Sequence, residues 1–368
     1  VPADAAARSP KVAIVLFNLG GPDSLRAVKP FLLNLFRDPA ILRVPFFVRP
    51  LLARIIARLR VKPATENYRL LGGSSPLLEL TAKQATALAR ALPELHVRTF
   101  VAMRYWHPFS LAAARAVRAW GPDQVVLLPL YPQFSTTTTG SSLAAWFEAA
   151  ARSGVVAPTT TLCCFPADPD FIAATTGIIR RHHQQALAQL APGGRLRVLF
   201  SAHGLPEPIV TGGDPYQWQV EQTVAAVLDR WGEADLDWTI CYQSRATPQK
   251  WIGPSTDDEI RRAGRDGVAV LVVPIAFVSE HSETLVELDI EYRHLADSAG
   301  VPGYFRVPTQ NLDPAFIDAL ANLVRHALLR PAGLCSAGGP RLCELRHSGC
   351  PFDPPAGPRI DKAQALPR

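Results

Sequence analysis

Three glutamates four residues apart, Glu283, Glu287 and Glu291, follow a histidine at 281 and an apolar run at 268–278, VAVLVVPIAFV. On a helix, side chains four apart share a face, so the carboxylates form one stripe. Like charges at that spacing repel by roughly 0.2–0.5 kcal/mol per pair. Either the stripe is a solvated face, or its carboxylates hold cations or protons. The stripe begins at the carboxyl end of a core strand, where open α/β sheets place their ligands. A second histidine, His203, leaves another apolar run in Leu199-Phe200-Ser201-Ala202-His203-Gly204-Leu205-Pro206. A lone turn histidine is more often structural. Imidazole is also suited to taking protons near neutrality or ligating a divalent metal. Two imidazoles with carboxylates suit Fe²⁺, Mn²⁺ or Zn²⁺, or a base with a proton exit.

Other strand exits carry polar clusters. Residues 131–142 read YPQFSTTTTGSS, seven Ser/Thr hydroxyls in twelve residues. Opening into a helix, they form either an N-cap-rich turn or a cradle for an anion such as a carboxylate. The run lacks the GxxxxGK[ST] of a P-loop, and Asn18-Leu19-Gly20-Gly21-Pro22 is not GxGxxG, so no nucleotide is assigned. Arg104 stands at a strand end in Met103-Arg104-Tyr105-Trp106-His107-Pro108.

The elements that must position these residues alternate along the chain. Strands are expected at 12–18, 97–104, 124–130 and 159–165, then at 196–201, 238–243, 268–278 and 304–307. Helical patterns lie between them, and the acidic stripe is expected on a helix. Two successive βα series predict an α/β fold of two similar, doubly wound, parallel-sheet (Rossmann-like) domains, with a ligand cleft between them. The expected organisation is a disordered N-terminus at 1–10 and a first domain at 11–175. A second domain follows at 176–330, then a cysteine-bearing extension at 331–350 and a disordered tail at 351–368. That tail begins at Pro351 and holds five prolines in eighteen residues.

Composition narrows the function class. Hydrophobic residues make up 48% of the 368, enough for sizeable cores, and the net charge is +6. Six of the cations, Arg43, Arg49, Arg54, Arg58, Arg60 and Lys62, fall at 39–65 among aliphatic and aromatic side chains, with no acid. That mixture reads as a surface lying on anionic lipid, or as a packing helix with a cationic rim. Nucleic acid is not expected, because the interleaved residues are mostly aliphatic rather than stacking aromatics. The longest apolar run is 11 residues, short of the roughly 18 a membrane span requires. With no apolar signal core at the start, the expected location is cytoplasmic, or peripheral on the inner membrane. Six cysteines do not make a disulfide scaffold. Cys335, Cys343 and Cys350 stand in Gly/Pro-rich sequence that reads as floppy, and Cys163 or Cys164 offers a fourth thiol. Four thiolates suit a 2Fe–2S cluster or a structural zinc.

The motifs together resemble the ferrochelatase family, which inserts Fe²⁺ into a porphyrin. The segments are NLGGP at Asn18, YRLLGGSSPL at Tyr68, MRYWHP at Met103 and LYPQFSTTTTGSS at Leu130. They continue with SAHGLP at Ser201, YQSRATPQKWIGPST at Tyr242 and PIAFVSEHSETLVELDIEY at Pro274. They cover about residues 11–330 in family order. The resemblance implies a chelatase-type fold, with ferrous iron and protoporphyrin IX as substrates. A chelatase for coproporphyrin, cobalt or nickel, or a tetrapyrrole-binding protein without chemistry, is the alternative. It makes His203 the essential base or metal-facing histidine, Glu283 the glutamate facing it across the macrocycle, and His281 its neighbour. Glu287 and Glu291 become the acidic path for protons or metal. Leu19, Tyr131, Ser135, Thr137, Arg104 and Trp251 fall on porphyrin-side positions, with Arg104 near the carboxylates. Residues 39–65 match the lip that dips into lipid in membrane-associated members. The extension resembles one tied to homodimer formation and, in some bacterial members, to a 2Fe–2S cluster with shifted cysteines. Two positions depart from the pattern. Thr136 stands where animal members with a cluster have cysteine. Leu19 stands where some members have Met, and the lack of a tyrosine near this strand end leans towards protoporphyrin.

Overall fold

The computed structural model describes residues 9–244 and 249–352. The expected disordered ends at 1–10 and 351–368 lie almost wholly outside the described residues, as does part of the YQSRATPQKWIGPST motif.

The first βα series runs β1 (Lys11–Asn18), α1 (Val28–Arg37), α2 (Arg49–Leu70), α3 (Leu77–Arg90), β2 (His96–Met103), α4 (Ser110–Trp120), β3 (Gln124–Pro129), α5 (Ser141–Ser153), β4 (Thr159–Leu162) and α6 (Pro169–Leu187). The second runs β5 (Leu196–His203), α7 (Glu207–Thr211), α8 (Tyr216–Trp231), β6 (Asp237–Gln243), α9 (Thr256–Asp266), β7 (Ala269–Pro274), a π-helix (Glu283–Glu291), α10 (Tyr292–Ser298), β8 (Tyr304–Arg306), α11 (Pro314–Leu328) and β9 (Gly333–Cys335). All strands pair in parallel, in the orders β2-β1-β3-β4-β9 and β6-β5-β7-β8. The β2-β1-β3 and β6-β5-β7 orders put a topological switch point beside β1 and beside β5, where ligands bind in such sheets.

Alternating side chains explain the layers. Val12, Ile14 and Leu16 of β1 face a core shared with α3, α6 and α11, whereas Ala13, Val15 and Phe17 face α4 and α5. Val198 and Phe200 of β5 belong to the first of those cores, and Leu199 faces α9 and α10. The two sheets therefore share one central helical layer, in which α6, α8, α11 and α3 are in contact. The boundary expected at 175/176 falls inside α6, a continuous helix of this layer.

Three expectations are corrected. Of the apolar run 268–278 only Ala269–Pro274 is strand, since its pairing with β5 stops at Ser201–Pro274. The acidic stripe lies on a nine-residue π-helix rather than an α-helix. The extension is not floppy: β9 extends the first sheet beside β4, and Cys335, Cys343 and Cys350 are all buried.

Candidate active site

His203 is the last residue of β5, and Gly204 follows it at the switch point. A Cβ on Gly204 would meet Gln243 O at 2.9 Å and Trp251 Cε3 at 3.3 Å, so the glycine admits the Trp251 ring beside the strand end. His203 Nδ1 lies 2.6 Å from Gly204 O. A carbonyl only accepts, so Nδ1 carries its proton and Nε2 is left to take one. Nε2 faces Glu283 Oε1 at 3.6 Å. The other carboxylate oxygen, Oε2, lies 3.2 Å from His281 Nε2. Glu283 is thus bracketed by the two imidazoles. The His203 and Glu283 side chains are 34% and 29% exposed, so a ligand reaches both. A flat macrocycle between two groups requires about 7 Å, two van der Waals contacts. At 3.6 Å, Glu283 stands beside His203 on one side of any such ring, not across it as the resemblance implied.

Charge follows from this packing. Burial raises Glu283, but the facing His203 and the hydrogen bond and charge of His281 outweigh it and bring its pKa down to about 2. Burial lowers His281, yet its bond to Glu283 leaves it above the ordinary histidine value. Its Nδ1 also meets Ser279 O at 3.1 Å. Acceptors at both nitrogens favour the protonated form of His281. Behind them, burial and the Glu283 charge raise Glu287, partly offset by hydrogen bonds from Ser244 and Gln243. Glu287 accepts from Ser244 N at 2.8 Å, Ser244 Oγ at 2.5 Å, Gln243 Nε2 at 3.1 Å and Tyr292 OH at 3.1 Å. Glu291 is exposed, so the ladder runs from the cleft to the surface.

The turn carrying His281 is fixed from below. Arg306 bonds Glu280 Oε1 at 2.8 Å and both oxygens of Asp289 at 2.6 and 2.7 Å. Gln84 of α3, fully buried, donates to Val278 O and Asn311 O and accepts from Ser279 Oγ. Nothing in the sequence marked Arg306 or Gln84. Gln243 and Ser244, by contrast, stood inside a quoted motif.

The first series supplies the facing wall, but several expected contact residues are supports. Ser135 and Thr137 are buried and bonded to each other, and Tyr131 is also buried. In this loop Thr136 is one of the half-exposed residues, and it is joined to Arg43 Nη2 at 3.0 Å. Arg104 is held by Asp38 at 2.7 Å and by Ser141 Oγ at 2.6 Å, with its side chain 23% exposed. Leu19 is half-buried at the exit of β1. The buried Asp38 also accepts from Tyr105 OH and Ser141 Oγ, a role with no mark in the sequence.

Four of the five candidate thiols meet on the far side of this loop. Cys163 and Cys164 Sγ are 3.1 Å apart, and Gln219 Nε2 donates to Cys343 Sγ at 3.1 Å and Cys164 Sγ at 3.5 Å. A hydrogen bond from Cys343 brings Cys350 down to about 6 and pushes Cys343 far up. Burial pushes the Cys335 thiol on β9 up to about 11, and its backbone O accepts from Cys163 N at 2.8 Å. Among the described residues, no three His, Cys, Asp or Glu side chains stand in a finished ligand arrangement. Cys241 is fully buried in β6, as expected of a core residue.

The ferrochelatase family model matches residues 11–328. A ferrochelatase of Caulobacter vibrioides is 52% identical over 345 residues, covering 93% of this chain and 97% of that one. A ferrochelatase of Hyphomonas neptunium is 50% identical over 350 residues, covering 93% and 94%. Among solved structures, SirB from Bacillus subtilis with Fe3+ aligns with a TM-score of 0.50 at 11% identity, covering 86% and 95%, a likeness of fold.

Proposed function

This chain belongs to the ferrochelatase family, and from that membership we propose that its cleft inserts ferrous iron into protoporphyrin IX, releasing two protons in the last step of haem formation. Glu283 bracketed by His203 and His281 at the second switch point carries the reading. The apolar wall binds the porphyrin and bends it, so that binding energy goes into exposing the nitrogen lone pairs. The free Nε2 of His203 serves one partner at a time: it takes a pyrrole proton and passes it on to the ladder, or, neutral again, it meets the iron beside Glu283. Glu283, ionised at neutral pH, binds protons weakly, and Glu287 binds them more strongly. Proton affinity therefore rises from Glu283 to Glu287, and the ladder ends in the exposed Glu291, in contact with water. In a metallation assay with Fe²⁺ and protoporphyrin, His203→Ala abolishes product while the wild type turns over. Undiminished turnover by the variant, or porphyrin binding without metallation by the wild type, overturns the assignment. Preference for cobalt or nickel in the same assay moves it to a related chelatase.

The finer parts of the reading concern the extension and the lip. A buried set of thiols without a carboxylate among them fits a soft-ligand group. Cys343 and Cys350, with Cys163 and Cys164, are the thiols that meet, and Cys335 lies one strand away. A 2Fe–2S cluster held there would supply a one-electron centre and a cross-link between the extension and the end of β4. Anaerobically purified protein then shows visible iron–sulfur absorption that Cys343→Ser removes. A colourless wild type containing stoichiometric zinc refutes the cluster. The reading also includes a homodimer joined through the extension. Its last part is association with an anionic membrane through 39–65, since no helix among the described residues is long and apolar enough to cross one.

A further inference from the structure

We infer that Gln219 and Asp214 are positioning residues through which the cysteine-bearing extension sets the porphyrin-side loop Gln133–Thr137. The inference rests on the reading above that this loop borders the porphyrin.

The loop belongs to the first series, yet its polar groups are held from the second. Gln219 of α8 is fully buried. Its Oε1 accepts from Phe134 N at 2.7 Å, while its Nε2 donates to Cys343 and Cys164. One turn on, Thr223 Oγ1 donates to Gln219 O and accepts from Gln133 Nε2 at 2.9 Å. Asp214 is also buried, and its Oδ2 accepts from Ser135 Oγ at 3.0 Å, Thr136 N at 2.7 Å and Thr136 Oγ1 at 2.6 Å.

Both residues touch the extension. Gly349 N donates to Gly213 O at 2.9 Å, one residue before Asp214 and one before Cys350. Gly213 has φ +99°, and a Cβ there would meet Ser348 Oγ at 2.2 Å, so only glycine lets the two backbones approach. An amide holds its oxygen and nitrogen on one planar carbon. Any change at the sulfurs that draws Nε2 away therefore turns Oε1 off the Phe134 N–H. The thiols and the loop are two ends of one rigid side chain, and a state of one biases the other.

Substitutions separate this from simple scaffolding. Gln219→Glu keeps an acceptor for Phe134 N and loses the donor to sulfur. Gln219→Leu loses both. The readouts are the dissociation constant of metal-free protoporphyrin, from tryptophan fluorescence quenching, and the separate KM values for porphyrin and iron. In Gln219→Leu the porphyrin constants rise roughly 5- to 10-fold and the iron KM does not. Cys343→Ser weakens porphyrin binding in the wild-type background and adds nothing in the Gln219→Leu background. Gln219→Glu behaves as Gln219→Leu towards Cys343→Ser, and completes the cycle should the leucine variant not fold. Unchanged porphyrin binding in both Gln219 variants, or effects of Gln219 and Cys343 that simply multiply, overturns the coupling. Metallation persisting in those variants leaves the proposed function standing, so the two failures are distinct.

Discussion

Glu283 and His281 set the electrostatics of the cleft as a pair. Glu283 is depressed to about 2, so its contribution to stability is present above the ordinary glutamate range and is lost as pH falls through about 2. His281 is raised, so its contribution is present below the ordinary histidine value and is lost as pH rises through the shifted one. The pair is whole between those limits. It is also what keeps Glu283 an anion beside His203. His281→Ala removes one of the two neighbours that hold Glu283 ionised, so the acid limb of the kcat/KM profile moves to higher pH. Activity at pH 5 then falls by a larger factor than activity at pH 8. A profile that drops uniformly at every pH would make His281 a packing residue alone.

At the scale of elements, the acidic ladder is a π-helix, with the Tyr292 N–H bonding the Glu287 carbonyl five residues back. Such segments are rare and recur at functional sites. Here it carries Glu287 against Gln243 and Ser244 at the end of β6. Glu287→Gln keeps the shape but removes the proton-accepting charge and sets an amide N–H₂ against the Ser244 donors. Turnover falls by roughly 10²-fold, while porphyrin binding, measured by fluorescence quenching, changes by no more than about twofold. The reverse pattern would return the ladder to a structural role. How far the chain could be read follows from such elements. Buried parallel strands are continuous apolar runs, so β1, β3, β5 and β7 were legible, and with them His203 and the turn at 279–283. Glutamates four apart fit α and π geometry alike, so the π-helix was not legible. Nor was β9, three residues in Gly/Pro-rich sequence whose pairing depends on an edge created by β4. Ser135 and Thr137 looked like contacts because a hydroxyl that faces a ligand and one that ties a loop are identical in sequence. Asp214, which accepts from Ser135 and from Thr136 between them, lies about eighty residues away.

At the scale of the molecule, the shared helical layer holds the two sheets together, and part of the chain packs outside that layer. The segment 39–65 is such a part. Phe46, Phe47, Leu51 and Leu59 are 79%, 71%, 61% and 72% exposed, a concentration of bare apolar surface that a soluble face would not carry. Along α2, Leu51, Ile55 and Leu59 form a row at four-residue spacing, and the exposed Arg54, Arg58 and Lys62 form another beside it. Arg49 and Arg43 do not join that row, since they bond Leu42 O, Val44 O and Thr136. An apolar row flanked by cations is the arrangement of a helix lying in the interface of an anionic bilayer, with each cation near the surface worth about 1 kcal/mol. The lip is joined to the porphyrin-side loop through Arg43 and Thr136, so under the proposed membrane association a hydrophobic substrate would enter from the lipid side. Vesicle co-sedimentation checks this. Wild-type protein partitions onto vesicles containing phosphatidylserine and is released as salt rises, because screening weakens the cationic row. Phe46→Ser with Phe47→Ser and Leu51→Ser lowers the partition by on the order of 10-fold or more at low salt, since three apolar side chains no longer enter the acyl boundary. Metallation of a porphyrin held in detergent solution is unchanged in the triple variant. Equal binding of wild type and variant to the vesicles, or of the wild type to neutral and anionic ones, would remove the lip from the membrane and leave it a rim of the cleft.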